Sequence, residues 1–199
     1  MKKIIILYST SGLGHYNSAK AIKEVLEKSK DIDVKLINIL DYGNEFFRFL
    51  HFKFYVSLMK YAKPLWGALY AFAELPGISM ILRKGLHFTD RQNWSGLEKI
   101  LIEEKPDAIV STHFFLTSLA SAIKKHKDIK PKLYLMVSGF GMHNVWFSRE
   151  IDHFFTGIES AKKEMINRGI PAGKVTVTGM PSPMEFCREY DVEDLKKTY

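Results

Sequence analysis

The segment YSTSGLGHYNSAKAI (residues 8–22) joins an apolar run to a helix-forming stretch and sets Ser11, Gly12, Gly14, His15 and Asn17 close together. These residue types suit work on an anion or a hydroxyl. Glycines let a backbone come close to phosphate, and a helix start offers unpaired N–H groups at the positive end of its dipole. An imidazole at that positive end is favoured in its neutral form, which is a proton acceptor near pH 7. The same histidine can equally cap the helix or hydrogen-bond in a crevice, and the residues alone leave both readings open.

Two nucleotide fingerprints fail here in different ways. The dinucleotide pattern Gly-x-Gly-x-x-Gly finds Gly12 and Gly14 but meets Asn17 at its third position, and no acidic residue stands within 36–40, where the second strand ends. The Walker pattern needs Gly-Lys-Ser/Thr, which this loop lacks, so ATP hydrolysis of that kind is excluded.

Such a loop needs a parallel sheet to hold it. Residues 3–8 (KIIILY) form a β-branched run with the continuous apolar character of a strand buried on both faces. Ala19, Ile22, Val25 and Leu26 then recur at helical spacing, and VKLINIL (34–40) reads as a second strand, which closes a right-handed βαβ unit. The alternation resumes with helix RQNWSGLEKILIEE, strand DAIVST, helix FFLTSLASAIKKH and strand KLYLMVS, punctuated by Pro106 and Pro131. Strand HFFTG, helix ESAKKEMINRG with Gly169 as its C-terminal cap, and strand KVTVTG follow. The expected fold is α/β, an open, mostly parallel, Rossmann-like sheet whose ligands bind at the C-terminal edge of the strands. His113 follows a strand at that edge, either as a satisfied polar group or as a ligand-binding one. Asp152 and Glu150 are expected to be solvated, and no His/Asp/Glu set has metal-site spacing.

Residues 44–88 interrupt the alternation with a stretch dense in aromatics and interleaved with Arg48, His51, Lys53, Lys60, Lys63, Arg83 and Lys84. One reading is a helical hairpin that covers the sheet with its aromatics in the core, Trp66, Tyr70 and Phe72 among them. The other is an interfacial segment with Phe47, Arg48, Lys53, Lys60 and Trp66 facing a membrane, aromatics at the headgroups and cations on anionic lipid. Both can hold for different faces. The 199 residues allow a sizeable core, and the formal net charge of +7 calls for an anionic partner. A single cysteine, Cys187, allows no internal disulfide and fits a reducing compartment. MKKIIILYST is too short for a signal-peptide core, and PLWGALYAFA (64–73) is about half of the ~20 residues a spanning helix needs.

Taken in order, STSGLGHYNSAKAI, KPDAIVSTHFF, HNVWFSREIDHFFTG and NRGIPAGKVTVTGMPSPMEF resemble the monogalactosyldiacylglycerol synthase and processive diacylglycerol glucosyltransferase family over almost the whole chain. The resemblance implies the N-terminal, acceptor-binding half of a two-domain GT-B glycosyltransferase. Such enzymes move a hexose from a UDP-sugar to diacylglycerol or a glycosyl-diacylglycerol at the cytosolic membrane face. It implies residues 1–185 as the acceptor domain and 186–199 as the start of an interdomain linker. The UDP-sugar-binding domain would be supplied in cis or by another chain, so the 199 residues alone are expected to be inactive. The implied partners are a UDP-sugar as substrate rather than cofactor, diacylglycerol and an anionic membrane surface, with no nucleic acid and no metal.

Residue by residue, Gly12 and Gly14 match the family's first loop, beside donor diphosphate and acceptor, and His15 matches its proposed general base. His143 and Trp146 match its His-x-x-Trp in a loop associated with lipid binding. Gly179-Met180-Pro181 matches its Gly-x-Pro turn. Family members usually carry Thr-Asp where this chain reads Ser138-Gly139. The alternative function is therefore a diverged, non-catalytic module that keeps membrane and lipid affinity. A peptidoglycan-type transferase is a third reading, although its first loop is usually richer in glycine.

Overall fold

The computed structural model describes residues 1–10, 13–43, 49, 54–75, 77–78, 95–127, 129–139 and 150–187. Ser11, Gly12, Phe47, Arg48, Lys53, His143 and Trp146 lie outside the described residues, as do 188–199 of the expected linker.

The expected alternation is present. The elements run β1 (Lys2–Tyr8), α1 (Leu13–Leu26), β2 (Ile32–Asn38), α2 (Tyr55–Tyr61), α3 (Lys63–Glu74), α4 (Ser95–Glu104), β3 (Ala108–Ser111), α5 (Phe114–Lys127), β4 (Lys132–Val137), β5 (His153–Thr156), α6 (Glu159–Asn167) and β6 (Val175–Val177). The six strands form one sheet in the order β2-β1-β3-β4-β5-β6, and every pairing is parallel.

Strand periodicity divides the core. Ile5 and Leu7 face the larger cluster, which takes Leu97 and Leu101 from α4, Phe115, Leu116 and Leu119 from α5, and Met165 from α6. Ile6 faces the other side, where Ala19, Ile22 and Leu26 of α1 pack with Val34. A strand covered on both faces has no reason to alternate polar residues, which is why β1 reads as an unbroken apolar run. Burying a side chain such as Leu116 or Leu133 contributes about 1.5–3 kcal/mol each.

Because α1 covers one face while α4, α5 and α6 cover the other, the crossover reverses between β1 and β3. That reversal marks the C-terminal ends of those two strands as the place where open α/β sheets bind ligands.

Asp152, expected to be solvated, instead ties the opposite edge together. Its carboxylate accepts the Leu133 N–H at 2.8 Å, the Lys124 ammonium at 3.1 Å and that of Lys132 at 3.2 Å. Burial alone would push this carboxyl up, but those donors outweigh it and hold it below its ordinary value. Toward the N-terminal ends of β1 and β2, a shallow cavity is bordered by Lys3, Lys35 and Glu104, which pair with one another at 3.3 and 2.6 Å.

The reading of residues 44–88 as a hairpin with its aromatics in the core fails for the described part. No described side chain of 54–75 is buried, and Leu65, Leu69 and Phe72 are 54%, 47% and 55% exposed. No helix among the described residues is long and apolar enough to cross a membrane.

α6 ends as the position of Gly169 predicts. Gly169 sits at φ +94°, and Ile170 N–H donates to Met165 O at 3.1 Å while Gly169 N–H donates to Ile166 O at 2.9 Å, the double bond of a Schellman cap. Gly169→Ala should therefore cost about 1 kcal/mol in urea unfolding. Gly173→Ala, where an added Cβ meets open space and φ is ordinary, should stay within about 0.5 kcal/mol. Equal effects of the two changes would contradict the left-handed cap.

Candidate active site at the ends of the first and third strands

α1 starts directly after the loop, and its small buried residues Ser18, Ala19 and Ala21 let it lie close to the sheet. His15 therefore falls in the first turn of α1, half-buried against the end of β3.

Thr112, one residue past β3, holds it there. The Thr112 N–H donates to Leu7 O at 3.1 Å and continues the β1–β3 pairing beyond the strand. Its hydroxyl donates to His15 O at 3.0 Å. Its carbonyl lies 2.6 Å from His15 Nδ1. A carbonyl can only accept, so Nδ1 carries a proton, and the neutral ring has its lone pair on Nε2. Burial lowers the His15 pKa below 6.5, against the opposing effect of the Thr112 carbonyl. The ring is thus a neutral base near pH 7 with one acceptor nitrogen.

His113 joins it, its ring 4.6 Å from that of His15 in an edge-on arrangement. The two half-buried histidines singled out from the sequence, 98 positions apart, are brought together by the β1–β3 pairing. His113 also caps α5. Its carbonyl accepts Thr117 N–H at 3.2 Å, and its Nδ1 accepts Phe115 N–H at 3.2 Å, so its neutral ring carries the proton on Nε2. Phe114 stacks on its other side at 4.6 Å. The reading of His113 as a satisfied polar group therefore holds, and its ring stands beside His15 at the C-terminal edge of the sheet.

The other candidates fall in different places. Gly14 is exposed, and a Cβ added there meets nothing within 4 Å, so the backbone beside His15 is open to a ligand. Asn17 is exposed two positions further along α1, and residues two apart do not share a helix face. Lys60 and Trp66 belong to α2 and α3, with Lys60 exposed and Trp66 half-buried. Ser11, Gly12, His143 and Trp146 lie outside the described residues. Among the described residues, no group of three or more His, Cys, Asp or Glu could hold a metal ion.

Sequence reasoning did not assign Thr112 or Ser138 a place in the site. Ser138, just past β4, has its Oγ 3.1 Å from His15 Nδ1. The available signal was positional, since small hydroxyl residues ending two parallel strands meet only once the strand order is known.

The lowered His15 pKa makes stability depend on pH. Between the folded-state pKa and 6.5 the unfolded chain binds a proton that the folded chain refuses. Unfolding then takes up protons, so stability falls as pH drops through 6.5 and levels off once both states are protonated. Urea unfolding at pH 8 and pH 5.5 should show a larger loss for the wild type than for His15→Gln. Equal losses would contradict the buried neutral imidazole.

Comparison with known proteins gives the family and the fold. Residues 15–181 match the monogalactosyldiacylglycerol (MGDG) synthase family. A processive diacylglycerol beta-glucosyltransferase of Bacillus cereus (strain B4264) is 25% identical over 197 residues, covering 99% of this chain and 49% of that protein. The chain spans about half the length of the curated relatives it matches. Among solved structures, the UDP-GlcNAc 2-epimerase of Neisseria meningitidis superposes with a TM-score of 0.52 at 16% identity, covering 90% of this chain and 47% of that one. The UDP-N-acetylglucosamine 2-epimerase of Rickettsia bellii gives 0.52 at 14% identity, covering 99% and 51%. These two share the α/β fold.

Proposed function

The chain belongs to the MGDG synthase family, and from that premise we propose that it is the acceptor-binding half of a glycolipid-forming glycosyltransferase. The donor is a UDP-sugar and the acceptor is diacylglycerol or a glycosyl-diacylglycerol. The observation that carries this reading is the 2.6 Å bond from His15 Nδ1–H to Thr112 O, which leaves Nε2 as a proton acceptor at the ligand-binding edge of the sheet. An alcohol attacking an anomeric carbon must lose its proton as the new bond forms, and Nε2 takes it. Gly14 keeps the backbone open beside that base, and Gly12 is assigned with it to the donor-diphosphate loop. His113 borders the acceptor from the β3 side, and His143 and Trp146 complete the lipid-binding loop. Residues 1–185 form the acceptor domain, and the nucleotide site is built with a second, C-terminal domain reached through the linker that starts at 186.

Transfer takes place at the cytosolic face of a membrane to which the protein binds peripherally. Leu65, Leu69 and Phe72 recur at positions i, i+4 and i+7 on α3 and leave an apolar stripe in solvent, with exposed Lys60 and Lys63 close by in sequence. That combination supports shallow insertion beside anionic headgroups.

Two experiments test the reading. The full-length protein, given labelled UDP-glucose or UDP-galactose and diacylglycerol vesicles, should form glycolipid, and His15→Ala should lower kcat by about 10²–10⁴-fold. Undiminished transfer in His15→Ala would remove the base assignment, and no glycolipid from the wild type would favour a non-catalytic lipid-binding module. The 199-residue chain should co-sediment with anionic vesicles and be released by salt, and the triple change Leu65→Ser, Leu69→Ser, Phe72→Ser should abolish binding. Equal binding to neutral vesicles would contradict the electrostatic part of the account.

A further inference from the structure

His15 Nδ1–H has two acceptors. Beside the Thr112 carbonyl at 2.6 Å stands Ser138 Oγ at 3.1 Å, and the Ser138 hydroxyl itself donates to Thr112 O at 3.5 Å. The proton of Ser138 is thereby directed to the carbonyl and its lone pair to the imidazole. Ser138 stands just past β4, two strands away from β1, so it ties the base to a second strand end beside that of β3. The residue after it is Gly139, which brings no carboxylate.

We propose that Ser138 is the positioning residue of His15, a hydroxyl in the role of second acceptor that holds the ring in its Nδ1–H form and supports the imidazolium formed when Nε2 takes a proton. The proposal deepens the transferase reading and rests on it for its catalytic meaning, but the geometry it describes belongs to the free chain. The mechanism is a charge-assisted hydrogen bond. A neutral hydroxyl 3.1 Å from Nδ1 gains strength when the ring becomes positive, though less than a carboxylate there would. Ser138 therefore makes His15 a better base than the Thr112 carbonyl alone would, while leaving it neutral near pH 7. Among the described residues, the titratable ring packed on His15 is His113, from the start of α5. Tyr8 of β1 pairs its own ring with Tyr16 at 5.3 Å. β3 and β4 contribute the Thr112 carbonyl and the Ser138 hydroxyl.

The test is a histidine ¹⁵N titration of the 199-residue chain by long-range ¹H–¹⁵N spectra, which reads tautomer and protonation of each ring without any assay of transfer. At pH 8 the wild type should show His15 Nδ1 protonated and Nε2 bare. Ser138→Ala should admit the other tautomer and move the His15 midpoint down, Ser138→Thr should restore the wild-type spectrum, and Ser138→Asp should move the midpoint up. An unchanged His15 tautomer and midpoint in folded Ser138→Ala would overturn the proposal. If that variant does not fold, Ser138→Asp decides: an upward shift supports the proposal and an unmoved midpoint overturns it. A wild-type ring protonated on Nε2 would overturn it as well. Absence of glycolipid in the transfer assay, with the ¹⁵N result as expected, would instead count against the transferase reading and leave the Ser138 contact standing.

Discussion

One residue, Thr112, fixes the relation between the two halves of the site. Its N–H extends the parallel pairing of β3 with β1, its hydroxyl anchors the His15 carbonyl, and its own carbonyl receives the imidazole Nδ1–H. All three bonds come from a buried residue just past a strand end, where backbone groups that no longer pair within the sheet must find partners nearby. His15, in the first turn of α1, is held in one place by bonds from the end of the neighbouring strand β3. If the β1–β3 register moved by one residue, Thr112 would point to the other face and the imidazole would lose its acceptor.

That restraint has an electrostatic consequence. Burial makes the charged imidazolium costly, and the helix start adds a positive dipole end, so the resting ring is neutral. In the proposed transfer the ring must nevertheless accept a proton. The carbonyl of Thr112 and the hydroxyl of Ser138 give that transient charge two neutral acceptors on the Nδ1 side. A carboxylate would make a stronger base and also one that is protonated more of the time at neutral pH. The hydroxyl solution sits between an unsupported histidine and a histidine–carboxylate pair.

Much of the fold was legible because its signals are local. The unbroken run of β1, the spacing of Ala19, Ile22 and Leu26, the stops at Pro106 and Pro131, and Gly169 after α6 each act through neighbours in sequence. The place of His15 at a helix start was legible for the same reason, although the residues alone left open whether it caps or accepts a proton. The contacts that give it a tautomer were not, because Thr112 and Ser138 reach it 97 and 123 positions away, through strand order. Asp152 was misread as solvated for a related reason: a carboxylate at a strand start gains its partners only when β4 and the end of α5 are in place. The described part of the aromatic segment failed as a core hairpin because composition cannot tell a side chain that packs inward from one left outside, and Leu65, Leu69 and Phe72 are left outside.

The central claim of the proposed function is that the free hydroxyl of a diacylglycerol meets His15 Nε2 at the C-terminal ends of β1 and β3. It is tested most directly by following the His15 ¹⁵N resonances while the chain is titrated with a short-chain diacylglycerol in micelles, and in parallel with the matching triacylglycerol, which has no free hydroxyl. The account predicts that Nε2 shifts with the diacylglycerol and stays unmoved with the triacylglycerol. Equal shifts with both lipids, or none with either, would contradict it.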